Sequence, residues 1–344
     1  MLSPRFKYDS KSALKLNKIQ LDTKSRVEGN IKSGNYKFES ICCAICGSVD
    51  SELLAEKDRY GLECHVVICR NCGLVYVNPR MTQDSYNQFY DGEYRKLYIG
   101  VESPAELYFK ARHKKAKKIF DFIKLAYPTI DFKGLNILEV GCADGGILLY
   151  FKEQGCNVKG VDLGSEYLRY GREKHDLDLI HGSLKDVPQD FIPDVIIYSH
   201  VLEHVLNLDS ELERLKEKCS EKTLIYIEVP GVKNLMKIYK MDSLLYFQNA
   251  HVYHFSLTSL TNLFSKNGFR LIKGNEHVRS LFVKEGNAEQ AILKNDYNST
   301  LNYLKKLEKK RFIYPFKISS IKKKIKLAIY RLLNIETKRS VLTN

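Results

Sequence analysis

The stretch Ile137-Leu-Glu-Val-Gly-Cys-Ala-Asp-Gly-Gly146 decides the fold. An apolar-dominated run that reads as a strand passes into a glycine-rich bend, and an amphipathic stretch follows it. Gly141 and Gly145 lack a Cβ and allow close ligand approach, and the N-terminus of a following helix offers free amides. Asp162 closes the next apolar run, Asn157-Val-Lys-Gly-Val-Asp162. An acid at that place can accept hydrogen bonds from both hydroxyls of a ribose. The pattern Gly141-x-Ala143-x-x-Gly146 approaches a dinucleotide fingerprint, but Ala143 sets a methyl group where the backbone would meet a pyrophosphate. Glu139 would also sit badly beside two phosphates. A nucleoside bearing positive charge suits this bend better.

Outward from the bend, strand and helix patterns alternate. Strands read at 135–140, 157–162, 178–182, 194–199 and 223–229, and helices at 145–154, 165–175 and 208–219. A further helix fits 256–266, followed by strands at 269–273 and 279–284. Apolar runs separated by amphipathic stretches predict an α/β fold, a doubly wound, seven-stranded, mostly parallel sheet covered on both faces. The last two strands follow a single helix, so they form a closing hairpin and one of them runs antiparallel. The expected strand order is 3-2-1-4-5-7-6. Residues 81–133 form a helical linker on the substrate side, rich in tyrosine, with a long helix from Ala105 to Leu125.

Upstream lie Cys43-Ala-Ile-Cys46-Gly47 and Cys69-Arg-Asn-Cys72-Gly73, with 22 residues between the knuckles. Each Cys-x-x-Cys turn supplies two thiolates from one tight loop, and four together match a closed structural zinc site. Residues 39–80 are therefore expected to be a zinc-ribbon module, with Cys43, Cys46, Cys69 and Cys72 as ligands. Residues 1–38 read as an N-terminal arm.

The chain has 344 residues, 44% of them hydrophobic and 28% charged, as in a globular protein. No stretch offers the roughly 18 uncharged apolar residues of a membrane span. The opening residues show no apolar leader, so a cytoplasmic setting is expected, in which paired thiols hold metal and not disulfides. The net charge is +14, and residues 301–344 carry 13 Lys/Arg against only Glu308 and Glu336. Basicity thus belongs to a tail (288–344) and not to the body. Within it, 318–335 reads as a basic amphipathic helix, expected to make peripheral contact with the inner face of an anionic membrane. RNA phosphates or a packed partner helix are the competing readings.

The runs 137–146, Gly160-Val-Asp162, Asp194-Val-Ile-Ile-Tyr-Ser-His-Val-Leu-Glu-His204 and Glu228-Val-Pro-Gly231 resemble class I methyltransferases that depend on S-adenosylmethionine (SAM). The resemblance covers about 105–287, or about 40–287 with the cysteine module. It implies that Glu139, Gly141, Ala143, Asp144 and Gly145 hold the methionine end of SAM, that Asp162 binds the ribose and that Leu163 flanks the adenine. His200 is expected at the same site. Ser183 stands where such enzymes often carry an acid toward the adenine amine.

Methyl transfer requires an aligned acceptor and a base for its proton, a task suited to imidazole. His251 is the leading candidate, with His204 and His254 behind it. Asn249-Ala-His251-Val-Tyr-His254-Phe-Ser256 is similar to a Glu-His motif of zinc-containing sugar C-methyltransferases, with Ala250 at the glutamate position. That departure favours O-methylation. The expected substrate is a sugar or glycan hydroxyl, nucleotide- or lipid-linked, in a surface-polysaccharide precursor or nucleotide-sugar. Sugar C-methylation, RNA methylation and a non-enzymatic SAM-binding scaffold at a membrane remain open. The absence of Asn/Asp-Pro-Pro-Tyr after the fourth strand argues against methylation of amines on nucleic-acid bases.

Overall fold

The computed structural model describes residues 1–100, 105–285 and 293–316. Helix α1 (Lys18–Lys32) starts at a capping box in which the Asn17 side chain accepts from Gln20 N and Gln20 returns the bond. Strand β1 (Phe38–Glu39) is followed by an antiparallel meander of β2 (Ser51–Lys57), β3 (Glu63–Cys69) and β4 (Val75–Val77). Strand β5 (Arg80–Met81) returns to pair with β1. Helices α2 (Gln83–Phe89) and α3 (Arg95–Ile99) flank a π-helical turn over Tyr90–Tyr94, and the long α4 (Ala105–Ala126) leads into the main sheet.

That sheet is built by β6 (Asn136–Val140), α5 (Gly146–Glu153), β7 (Asn157–Asp162), α6 (Ser165–His175), β8 (Leu179–His181), β9 (Val195–Ser199), α7 (Leu208–Lys218) and β10 (Leu224–Glu228). After the two-residue β11 (Tyr253–His254) come α8 (Leu257–Lys266), β12 (Phe269–Gly274) and β13 (Arg279–Lys284). The seven strands lie in the order β12-β13-β10-β9-β6-β7-β8. Counted along the chain from β6, this is the expected 3-2-1-4-5-7-6. Strand β13 is antiparallel to both neighbours, and the other adjacent pairs are parallel.

Successive side chains along the strands divide between two layers, as a period of two requires. Ile137, Ile197, Tyr226 and Leu281 pack against Ile119 and Ile123 of α4, Leu148 and Phe151 of α5 and Leu168 of α6. Leu138, Ile196, Tyr198, Ile225 and Phe282 face the opposite way, onto Leu212 and Leu215 of α7 and Leu260 and Phe264 of α8. Burial on both faces explains why the central strands are continuously apolar.

The cysteine module shares its sheet with the rest of the chain. Strand β11, which follows the fifth strand of the main sheet, adds to β4 and gives the order β11-β4-β3-β2. Helix α9 (Tyr297–Lys310) buries Leu301, Leu304 and Leu307 against Leu54, Val66 and Ile68 of the same module. Arg5 then ties the beginning of the chain to α9 and to the segment after β10, through Glu308 at 2.6 Å and Asp242 at 2.5 Å. The amphipathic stretch 318–335 lies outside the described residues. No described helix is long and apolar enough to cross a membrane.

Candidate active site

The glycine bend leaves β6 in a left-handed conformation. Gly141 has φ +69° and Gly145 +76°, and between them Ala143 holds +47°. A Cβ on Gly141 would come within 2.4 Å of Val201 Cγ2. A second non-glycine residue, His200 at the end of β9, has φ +60°. Two side-chain-bearing residues in this costly region stand at neighbouring strand ends, where ligands bind in doubly wound sheets.

Glu139 and Asp144 are wholly buried beneath the bend. Arg112 of α4 reaches both, at 2.6 Å from Glu139 Oε1 and 3.6 Å from Asp144 Oδ1. One guanidinium thus serves two carboxylates, and Glu139 Oε2 and Asp144 Oδ2 are left without partners. Burial pushes Glu139 up to about 8, opposed by Arg112 and reinforced by Asp144. Burial raises Asp144 as well. Unpaired buried carboxylate oxygens are costly, and an incoming cation would satisfy them. The ammonium and sulfonium of SAM have that chemistry.

Asp162 accepts backbone bonds from Ala143 N at 2.8 Å and Gly164 N at 2.7 Å, which fix its carboxylate at the rim. Each oxygen keeps acceptor capacity for a ribose hydroxyl. Leu163 beside it is 70% exposed, an apolar side chain presented to the crevice mouth. Ser183 caps a short 3-10 turn with Asp186, which accepts from Ser183 N at 2.8 Å. An acid therefore does stand near the Ser183 position, three residues later than the familiar pattern.

Across the crevice, His200 meets Glu203 at 3.2 Å. Glu203 is 1% exposed, and its Oε2 has no partner. His204 Nδ1 lies 2.9 Å from Ala250 O, which defines that nitrogen as the donor and leaves Nε2 free. His204 and His251 are edge to face with ring centroids 4.8 Å apart, and Glu203, His204 and His251 each bring a ligand-type atom within 4.8 Å of the others. The Gln248 amide nitrogen touches the His251 ring at 2.6 Å. Burial holds His204 below its usual range, and His251 well below it, with His204 and His254 adding to the effect on His251. His251 is therefore neutral at pH 7, and its lone pair faces the Gln248 amide, which a substrate hydroxyl would have to displace. His254 sits one layer back, packed on Tyr246 and Phe247, its two ring nitrogens unpartnered and burial driving it down to about 3.

A tyrosine stack roofs this cluster. Tyr86, Tyr90, Tyr94 and Tyr98 lie ring on ring at 5.8, 4.6 and 5.7 Å, and Tyr90 and Tyr94 meet His204 edge-on. Sequence reasoning noted the tyrosines but not their stacking. It missed Arg112, and it took Lys115 only as one of a basic face with Lys114, Lys117 and Lys118; Lys115 bonds Ser199 Oγ at 2.9 Å and Glu228 at 3.2 Å.

In the cysteine module the four sulfurs lie within 4.8 Å of one another, with Cys43–Cys72 at 3.4 Å and Cys46–Cys69 at 3.5 Å. Gly47 and Gly73, at φ +71° and +80°, close the two knuckles through bonds to Cys43 O and Cys69 O. Four converging thiols, three of them buried, fit a tetrahedral soft divalent ion.

Residues 111–273, just under half of the chain, match the family model described as a methyltransferase domain. With the observed strand order, this gives the Rossmann-like fold of the class I SAM-dependent methyltransferases. Three relatives differ in the atom their names say is methylated. "Probable (S)-tetrahydroprotoberberine N-methyltransferase 2" of Papaver bracteatum is 30% identical over 53% of this chain and 59% of its own. "Ubiquinone biosynthesis O-methyltransferase" of Rickettsia typhi is 32% identical over 29% of this chain and 42% of its own. "C-methyltransferase NovU" of Streptomyces niveus is 22% identical over 67% of this chain and 56% of its own. The chain thus spans less than two thirds of each of these relatives.

Proposed function

We propose that this protein transfers the methyl group of SAM to a hydroxyl of a sugar, in a nucleotide-sugar or a surface-polysaccharide precursor. The observation that carries the reading is the pairing of two half-sites at the ends of neighbouring parallel strands: unsatisfied buried carboxylates at Glu139 and Asp144 on β6 and its bend, and a carboxylate–imidazole–imidazole cluster that begins just after β9. The first suits a cationic donor and the second an acceptor that must lose a proton.

Glu139, Asp144 and the 141–145 bend would hold the methionine end, and Asp162 the ribose. When bound, SAM supplies a methyl carbon already activated by a positive sulfur. His251 accepts the hydroxyl proton as the oxygen forms its bond to that carbon. The donor would leave as a neutral thioether that keeps the electron pair of its former methyl bond, so the one proton this chain has to take up is that of the acceptor hydroxyl. Glu203 stabilises the imidazolium so formed, and His204, oriented by Ala250 O, supports the same cluster. The stacked tyrosines exclude water and offer faces to a sugar ring. Zinc is the ion assigned to Cys43, Cys46, Cys69 and Cys72, where four thiolates leave no open position and the role is structural.

A specific observation favours a second reading, sugar C-methylation. Ala250 removes the carboxylate beside His251 in sequence, but Glu203 restores one in space. Incubation of the protein with labelled SAM and a panel of nucleotide-sugars, glycans and RNA tests both. Label in a base-stable ether supports O-methylation, label on ring carbon supports the second reading, and label in RNA alone refutes both. The cell compartment proposed is the cytoplasm, with residues 318–335 resting on the inner membrane face.

A further inference from the structure

Arg59 stands in the turn between β2 and β3 and is 3% exposed. Hydrogen bonds on both sides of it hold the turn. Asp58 Oδ1 accepts from Tyr60 N at 2.8 Å and Leu62 N at 3.0 Å, and Asp58 Oδ2 accepts from Asn249 N at 3.3 Å. Arg59 N donates to Phe247 O at 2.9 Å. The turn is thereby bonded to the segment that carries His251.

Among the described residues the guanidinium at its end makes no ion pair, although the neighbouring Asp58 carboxylate feels its charge. One Nη donates to Tyr60 Oη at 2.7 Å, and Nε has no partner. The rings of Tyr60 and Tyr98 lie 4.9 and 5.3 Å from its centre. Among the described residues no carboxylate is ion-paired with it, because Asp58 spends its oxygens on backbone amides. Its closest titratable neighbours besides Asp58 are the phenols of Tyr60, Tyr98 and Tyr239. Each of these is held neutral by burial. A buried cation without a paired anion costs several kcal/mol unless a ligand supplies one. Because its turn is bonded to the segment Phe247–Asn249 that leads into His251, an anion bound at Arg59 would lie beside the acid–base cluster.

We propose that the Arg59 guanidinium binds an oxyanion carried by the acceptor, a phosphate ester or a carboxylate, and so selects negatively charged sugars. A planar fork of donors with one free N–H matches either group, and a tyrosine surround excludes the water that would compete. That the anion belongs to an acceptor rests on the methyltransferase reading; the existence of the anion site does not.

Calorimetric titration of the full chain with UDP, inorganic pyrophosphate and glucuronate tests this, with S-adenosylhomocysteine (SAH) titrated separately. At least one anion is expected to bind, and Arg59→Met is expected to weaken it about tenfold or more while SAH affinity stays within about twofold. Arg59→Lys should recover part of the loss. Preference for UDP and pyrophosphate identifies a phosphate ester, and preference for glucuronate a carboxylate. Absence of binding by all three overturns the proposal, as does equal anion affinity in Arg59→Met. If Arg59→Met does not fold, the readout is a wild-type crystal soaked with tungstate: an anomalous peak at the guanidinium supports the site, and none there overturns it. Failure of SAH to bind would instead sink the donor assignment and leave the anion result standing.

Discussion

Tyr253 pairs with Tyr76 in antiparallel register, so His254 lies in a strand of the cysteine module's own sheet and His251 stands two residues ahead of that strand. The module therefore does more than cap the fold. It sets the height of the proposed base over the crevice, and metal loss should be felt at the chemistry.

Cys72→Ser is expected to remove one equivalent of zinc and to destabilise the chain by several kcal/mol, as loss of structural metal does. Turnover should fall with it, although the sulfur lies in the module and not in the crevice. Metal analysis, thermal unfolding and a methyl-transfer assay check this. Unchanged turnover in a metal-free, folded variant would uncouple the module from the site.

His251→Asn should lower kcat by about 10²- to 10⁴-fold, the usual contribution of a positioned base, while SAH affinity changes little. His254→Asn should act mainly on stability, since its ring is enclosed by Tyr246 and Phe247. A reversal of these two effects would move the base one layer deeper.

Donor binding should depend on pH through Glu139. Its carboxyl is pushed up to about 8 by burial, so below that pH the free site is largely protonated. A cationic donor favours the ionised form. Binding should therefore release a proton below about pH 8, and affinity should fall as pH falls through that range and level off above it. Calorimetry in buffers of different ionisation enthalpy measures the proton directly. In Glu139→Gln the release should vanish and the affinity should drop about tenfold or more.

Two truncations should behave differently. Ending the chain after Phe316 should leave the melting temperature unchanged and abolish binding to anionic vesicles. Ending it before Tyr297 removes the buried Leu301, Leu304 and Leu307 and should destabilise strongly. Leu304→Ala alone is expected to cost about 2–5 kcal/mol by chemical denaturation.

The main sheet was legible because its strands are long, apolar and separated by helices of clear period; β7 and α6 fall at the expected residues. The cysteine knuckles were legible because the pairing is local. Strand β11 was not, since two residues have no period, and its partner stands far upstream at Val75 and Tyr76. Arg112 and Arg59 escaped notice for a related reason. What distinguishes them from other basic residues is burial beside particular acids or tyrosines, a property of the packed chain and not of any window of sequence. The left-handed φ of Ala143 and His200 is likewise imposed by the surrounding structure, against the local preference of either residue.

The Arg5 clasp brings Ser3 to 2.9 Å from Glu308, so the first turn of the chain and the last described helix share one doorstep. In a chain ended after Lys310, joining these neighbouring ends with a short linker, and opening the chain at a surface loop elsewhere, should yield a permuted protein with the same interior.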